Sequence, residues 1–281
     1  MSCLRALLFA VLIVLPGCGG AVGVVNSMSN TDAVAVETGL AYGQGPRQRY
    51  DVYRAVGARA DAPVVVFLYG GAWSSGDRSM YRFVGNALAE QGFVAAIPDY
   101  RLYPEVRFPD FVEDAARAVT AIRRDVAGGR PVVVVGHSAG AQIGALIALD
   151  ERYLGGAACG IISGFVGIAG PYDFLPLTSE RYRRIFPEAT RDQSQPINFA
   201  GGRAPATLLL HGSSDRTVAA KDSRDLARAL QAAGNRSELR IYDGVGHINI
   251  VGAIASPLRG QAPTLADISG FVRERAGRQG C

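Results

Sequence analysis

The sequence predicts an α/β protein, a mostly parallel sheet of eight strands with helices on both faces. Short apolar runs alternate with longer amphipathic segments from about residue 33 onward, the pattern of strands joined by helical crossovers. Val132-Val133-Val134-Val135 can bury both of its faces only as an interior strand of a parallel sheet. That run stops at Gly136-His137-Ser138-Ala139-Gly140 and continues into small residues over 141–149, which reads as strand, tight turn and helix.

Taken in order, residues 34–42 and 48–56 alternate apolar and polar positions around Gly43-Gln44-Gly45-Pro46, as an antiparallel edge hairpin does. Residues 64–68 form a buried strand that ends in Tyr69-Gly70-Gly71-Ala72-Trp73. A helix over 79–91 closes at Gly92, and a strand follows at 93–97. Phe111, Ala115, Val119 and Ile122 recur at helical spacing and define a helix over 108–126. Beyond the central strand and its helix come a strand at 161–169, a polar insertion at 171–203, a strand at 206–210, a helix at 219–233, a strand at 238–242 and a last helix at 263–275. In open sheets of this kind ligands sit beyond the carboxyl ends of the strands, where every motif of interest in this chain falls.

Composition narrows the function. At 48% hydrophobic and 19% charged the chain is globular. Its net charge of +4 is spread without a run of five like charges, so a nucleic-acid partner is not expected. With three histidines and no C-x-x-C pair, neither a metal site nor any other cofactor is expected. Residues 1–17 carry one early positive charge and a short apolar run, the pattern of a signal peptide. Leu15-Pro16-Gly17-Cys18 resembles a bacterial lipobox, with Pro16 where small residues are more usual. The expectation is a lipid on Cys18, a flexible tether over 18–32 and a folded domain over 33–281, exported and anchored to a membrane of the cell envelope. Cys159 is expected as a small buried hydrophobe and Cys281 as a free terminal thiol, their pairing being the alternative.

A serine hydroxyl needs a base to attack at neutral pH, and the base needs a carboxylate to hold its tautomer. Ser138 sits in the tight turn, where glycine at 136 and 140 avoids collision with crossing backbone. Of the three histidines, His137 should point away from its neighbour Ser138, and His211 should order the loop after its strand. His247, on a flexible loop after the 238–242 strand, is left as the base. Asp215 follows its own strand and is the candidate acid, with Asp173 as second choice. The backbone N–H groups of Gly71, Ala72 and Ala139 are candidate donors to an oxyanion, and Trp73 is expected at the substrate pocket.

These motifs in this order, together with Asp99-Tyr100-Arg101-Leu102-Tyr103-Pro104-Glu105, resemble the α/β-hydrolase superfamily. Within it the chain is most similar to the hormone-sensitive-lipase-like carboxylesterases and to the branch holding kynurenine formamidases and prenylcysteine methylesterases. Tyr69 stands where that family usually has histidine. The resemblance implies a serine carboxylic-ester hydrolase with a small-molecule ester substrate, a catalytic triad of Ser138, Asp215 and His247, and a small cap formed by the 171–203 insertion. An aryl formamidase or amidase on the same fold is the alternative within the enzymes, and a binding protein with a vestigial site the alternative outside them.

Overall fold

The computed structural model describes Asn26 and residues 33–281. The expected signal peptide, Cys18 and the rest of the expected tether lie outside the described residues. Asn26 itself is tied to the body: its amide donates to the carbonyls of Ser79 (2.9 Å) and Met80 (3.0 Å) and accepts from the Phe83 N–H (3.0 Å).

The edge hairpin is β1 (Val34–Ala41) and β2 (Arg49–Ala55), paired antiparallel. Strands β3 (Val64–Leu68), β4 (Val94–Pro98), β5 (Val132–His137), β6 (Ile162–Ile168), β7 (Thr207–Gly212) and β8 (Ser237–Tyr242) run parallel to one another. The order is β1-β2-β4-β3-β5-β6-β7-β8, with β2 antiparallel to β4. The valine strand thus lies in the interior between β3 and β6, with Val132, Val134 and Val135 fully enclosed. Enclosing a side chain of this size contributes roughly 1.5–3 kcal/mol.

Helices α1 (Arg82–Glu90), α2 (Asp110–Asp125) and α3 (Ala139–Leu149) follow β3, β4 and β5. Two short turns, α4 (Glu151–Leu154) and α5 (Ala158–Ile161), lead into β6. The insertion carries α6 (Glu180–Ile185) and two 3-10 turns at Glu188–Ser194 and Pro196–Phe199. After β7 come α7 (Ala220–Ala232), then α8 (His247–Gly252) and α9 (Thr264–Arg275) beyond β8. Helices α1 and α9 touch on one face of the sheet, while α2 and α3 pack together on the other. The helix expected from residue 79 begins at Arg82 instead, because Asp77 caps a separate 3-10 turn over Arg78–Tyr81.

The expectation for the two cysteines is overturned. Cys159 and Cys281 form a disulfide, their Cα atoms 5.3 Å apart. The C-terminal tail folds back so that Gly280 donates to the Cys159 carbonyl (2.8 Å) and accepts from the Ala206 N–H (2.9 Å), which brings the two cysteines side by side. Among the described residues no helix is long and apolar enough to cross a membrane.

Candidate active site

Between β5 and α3 the chain reverses within one residue. Ser138 has φ 54° and ψ −121°, a strained conformation that lifts its hydroxyl above the sheet. Both flanking glycines are sterically required. A Cβ at Gly136 would lie 2.3 Å from the Gly140 carbonyl oxygen, and one at Gly140 would lie 2.1 Å from that of Leu68. The turn after β3 comes equally close: a Cβ at Gly70 would meet the Ser138 Cβ at 2.9 Å.

Two loops, after β7 and after β8, bring the partners. Ser138 Oγ lies 2.9 Å from His247 Nε2, and His247 Nδ1 lies 2.7 Å from Asp215 Oδ2. Because the carboxylate can only accept, Nδ1 carries the proton and Nε2 is free to accept the serine hydroxyl. The other oxygen of Asp215 accepts from the N–H groups of Thr217 (2.8 Å) and Val218 (2.9 Å). Burial by itself would raise this carboxyl, but hydrogen bonds from His211, His247 and Val218 outweigh it and hold Asp215 well below the usual carboxylate range. The group therefore stays ionised beside the His247 imidazole.

His211 does more than order a loop. Its Nε2 lies 3.2 Å from Asp215 Oδ2 and 3.1 Å from the Val218 carbonyl, both acceptors, so Nε2 bears the proton; Ser223 Oγ donates to Nδ1 at 2.7 Å. The runner-up Asp173 is turned elsewhere, 3.8 Å from Lys221 Nζ. His247 is the first residue of helix α8 and not part of a flexible loop. Ser213 stitches its approach to the Asp215 loop, donating to Asp243 Oδ1 and accepting from the Gly244 N–H, each at 2.9 Å.

On the opposite side, Gly71, Ala72 and Trp73 all have positive φ (140°, 50° and 58°). Their turn is closed by the N–H groups of Ser74 and Ser75 on the Gly71 carbonyl (both 3.1 Å). Among the described residues the N–H groups of Gly71, Ala72 and Ala139 have no partner. The last of these opens α3, whose dipole adds positive potential there. Trp73 is buried: its indole N–H donates to Gln142 Oε1 (3.0 Å), and its ring packs on Phe174, Tyr182 and Phe186 of the cap. Gln142, fully enclosed one turn beyond Ser138, also donates to the Ser194 carbonyl (2.7 Å), joining helix α3, turn and cap. Tyr69 faces away from the site. Its hydroxyl donates to Asp99 Oδ1 (2.9 Å), and its ring stacks 4.7 Å from Tyr100, so the turn is anchored without the histidine usual at that position.

Sequence reasoning missed Gln142 and the part played by His137, whose Nε2 lies 3.1 Å from the His247 carbonyl oxygen. A cleft of about 500 Å³ lined by Tyr42, Arg117, Arg124, Arg152 and Tyr153 shares no residue with this site. Its arginines are already paired with Asp114, Asp125 and Asp150. Among the described residues no cluster of His, Cys, Asp and Glu could hold a metal ion.

A family profile described as BD-FAE matches residues 50–230, which includes the Ser138 elbow, the turn at Gly71 and the Asp215 loop. The chain belongs to the BD-FAE family. This BD-FAE member is 31% identical over 261 residues to the isoprenylcysteine alpha-carbonyl methylesterase of Arabidopsis thaliana, covering 83% of the chain and 60% of the relative. It is 33% identical over 235 residues to esterase LipC of Mycobacterium tuberculosis, covering 73% and 58%. The chain thus spans about 60% of the length of these curated relatives. Among solved structures, esterase B from Lactobacillus rhamnosis, inhibited by a tributyrin phosphonate, superposes with a TM-score of 0.78 at 18% identity over 91% of each chain. The fold is that of the α/β-hydrolases.

Proposed function

We propose that the protein is a serine carboxylic-ester hydrolase that works through an acyl-enzyme on esters of small or medium acids. One observation carries this reading: an unbroken hydrogen-bonded path from Ser138 Oγ through His247 to Asp215 Oδ2. Ser138 attacks the ester carbonyl while His247 Nε2 takes its proton. Asp215, ionised, holds the imidazole in the required tautomer and stabilises the imidazolium. The carbonyl oxygen becomes an anion received by the N–H groups of Ala72 and Ala139, with Gly71 beside them, and one such donor is worth about 3 kcal/mol. Collapse of the intermediate expels the alcohol, which leaves with the proton from Nε2. Water then repeats the sequence and releases the acid. These steps use only side chains and backbone of this chain. The esterase and methylesterase relatives support an ester substrate.

The test is hydrolysis of aryl esters graded from acetyl to long acyl, beside an aryl formamide. Turnover of the short esters is expected, with kcat/KM falling by at least about 10⁴-fold in Ser138→Ala. Faster turnover of the formamide would transfer the protein to the amidases. We further propose export and lipid anchoring at Cys18, supported by the composition of residues 1–18 alone. Metabolic labelling with a fatty acid should mark the wild type and not Cys18→Ser; an unlabelled wild type would refute it.

A further inference from the structure

We propose that His137 is a positioning residue for the base, donating a hydrogen bond from Nε2–H to the main-chain carbonyl of His247. The inference rests on the reading of His247 as that base. Nε2 lies 3.1 Å from the carbonyl oxygen, and the two imidazole rings are 5.0 Å apart, tilted by 40°. A carbonyl can only accept, so the proton resides on Nε2 and Nδ1 is left bare. That Nδ1 is buried and has no hydrogen-bond partner. A Cβ at Gly70 would come within 3.0 Å of it, which leaves no gap on that side. An apolar side chain at 137 would escape the penalty of an unpaired buried nitrogen. The ring is therefore not explained by packing, and the bond to His247 is what its polarity achieves.

The geometry around His247 shows why a second hold is useful. The base opens a helix of six residues, and Gly246 before it offers no side-chain cap. Asp215 fixes the imidazole from its far end, while nothing in that contact fixes the backbone that carries it. His137 supplies this from the end of β5, the strand that leads directly into Ser138, so base and nucleophile share one rigid support. Its neutrality matters as well. Burial, and next to it the neighbouring His247, push the His137 pKa down to about 3, with Asp215 and His211 the other titratable groups facing it. When His247 accepts the serine proton, it meets a neutral ring at 5.0 Å and no second cation.

The test uses the full chain and an aryl acetate. His137→Leu should fold, lower kcat by about 10- to 100-fold with KM nearly unchanged, and move the acid limb of kcat/KM against pH. His137→Gln, whose amide N–H can reach the same carbonyl, should recover part of the loss. Folded His137→Leu with wild-type kcat and pH profile overturns the inference. Should that variant not fold, ¹⁵N spectra of the wild type decide, since the chain has only three histidines. His137 should show the neutral Nε2–H tautomer from pH 8 to about 5. An Nδ1–H tautomer, or titration near the ordinary histidine value, overturns it. Ser138→Ala and His247→Gln serve as controls: activity surviving in them overturns the underlying reading, whereas their inactivity beside an unaffected, folded His137→Leu overturns this inference alone.

Discussion

Gly140 has a carbonyl oxygen 2.1 Å from where a side chain would begin, whereas Asp215 is ringed by His211, His247 and the N–H groups of Thr217 and Val218. The two positions stand for the two sides of the site. The nucleophile elbow and the turn at Gly71 are set by steric exclusion, through close backbone approaches and positive φ at Ser138, Ala72 and Trp73. The acid and base loops are set by side-chain hydrogen bonds, several of them at exposed or half-exposed residues such as Ser213. Steric exclusion tolerates no substitution, while a hydrogen-bonded loop loses its contacts one at a time.

That difference sets the size of the expected effects. Gly140→Ala should destabilise the fold by about 3 kcal/mol or more, read by urea unfolding, because main-chain atoms of Leu68 and Tyr69 must shift. A loss below about 1 kcal/mol would break the comparison.

An intermediate effect comes from His137 at the end of β5. Its folded pKa of about 3 lies below the ordinary histidine value, so below about pH 6.5 the unfolded chain binds a proton that the folded chain does not. Stability contributed by neutral His137 is complete at neutral pH and is lost as pH falls from about 6.5 toward 3, roughly 2 kcal/mol of it by pH 5. Subtracting the unfolding free energies of His137→Gln from those of the wild type at pH 7.5 and 5 isolates the contribution. A difference that does not change with pH would remove His137 from the buried, neutral groups. The smallest effect is expected from Ser213→Ala, about 1 kcal/mol with activity falling only severalfold. A loss as large as that of Gly140→Ala would show that both sides are equally rigid.

The same contrast governs what could be read from the sequence. Valine runs, glycine spacing and helical periodicity are local, so the eight strands, the longer helices and the Ser138 elbow are legible in the sequence. Helix α8 was not, since six residues rich in Ile248, Ile250 and Val251 show no helical period and favour extended backbone. The bonds of His137 to residue 247, of Gln142 to Trp73 and Ser194, and of Cys159 to Cys281 join positions far apart in the chain. Only the folded topology brings them together. Asp215 could be preferred over Asp173 because it follows its own buried strand and precedes a helix, but the reason it stays ionised lies in donors that no spacing reveals.

The central claim is that Ser138, driven by His247, carries the acyl group. Intact-mass and peptide-mapping mass spectrometry after treatment with an aryl alkylphosphonate tests it most directly. One adduct should form on Ser138 in the wild type, none in Ser138→Ala, and formation in His247→Gln should be slower by at least about 100-fold. An adduct on another residue, or undiminished labelling in His247→Gln, would contradict the account.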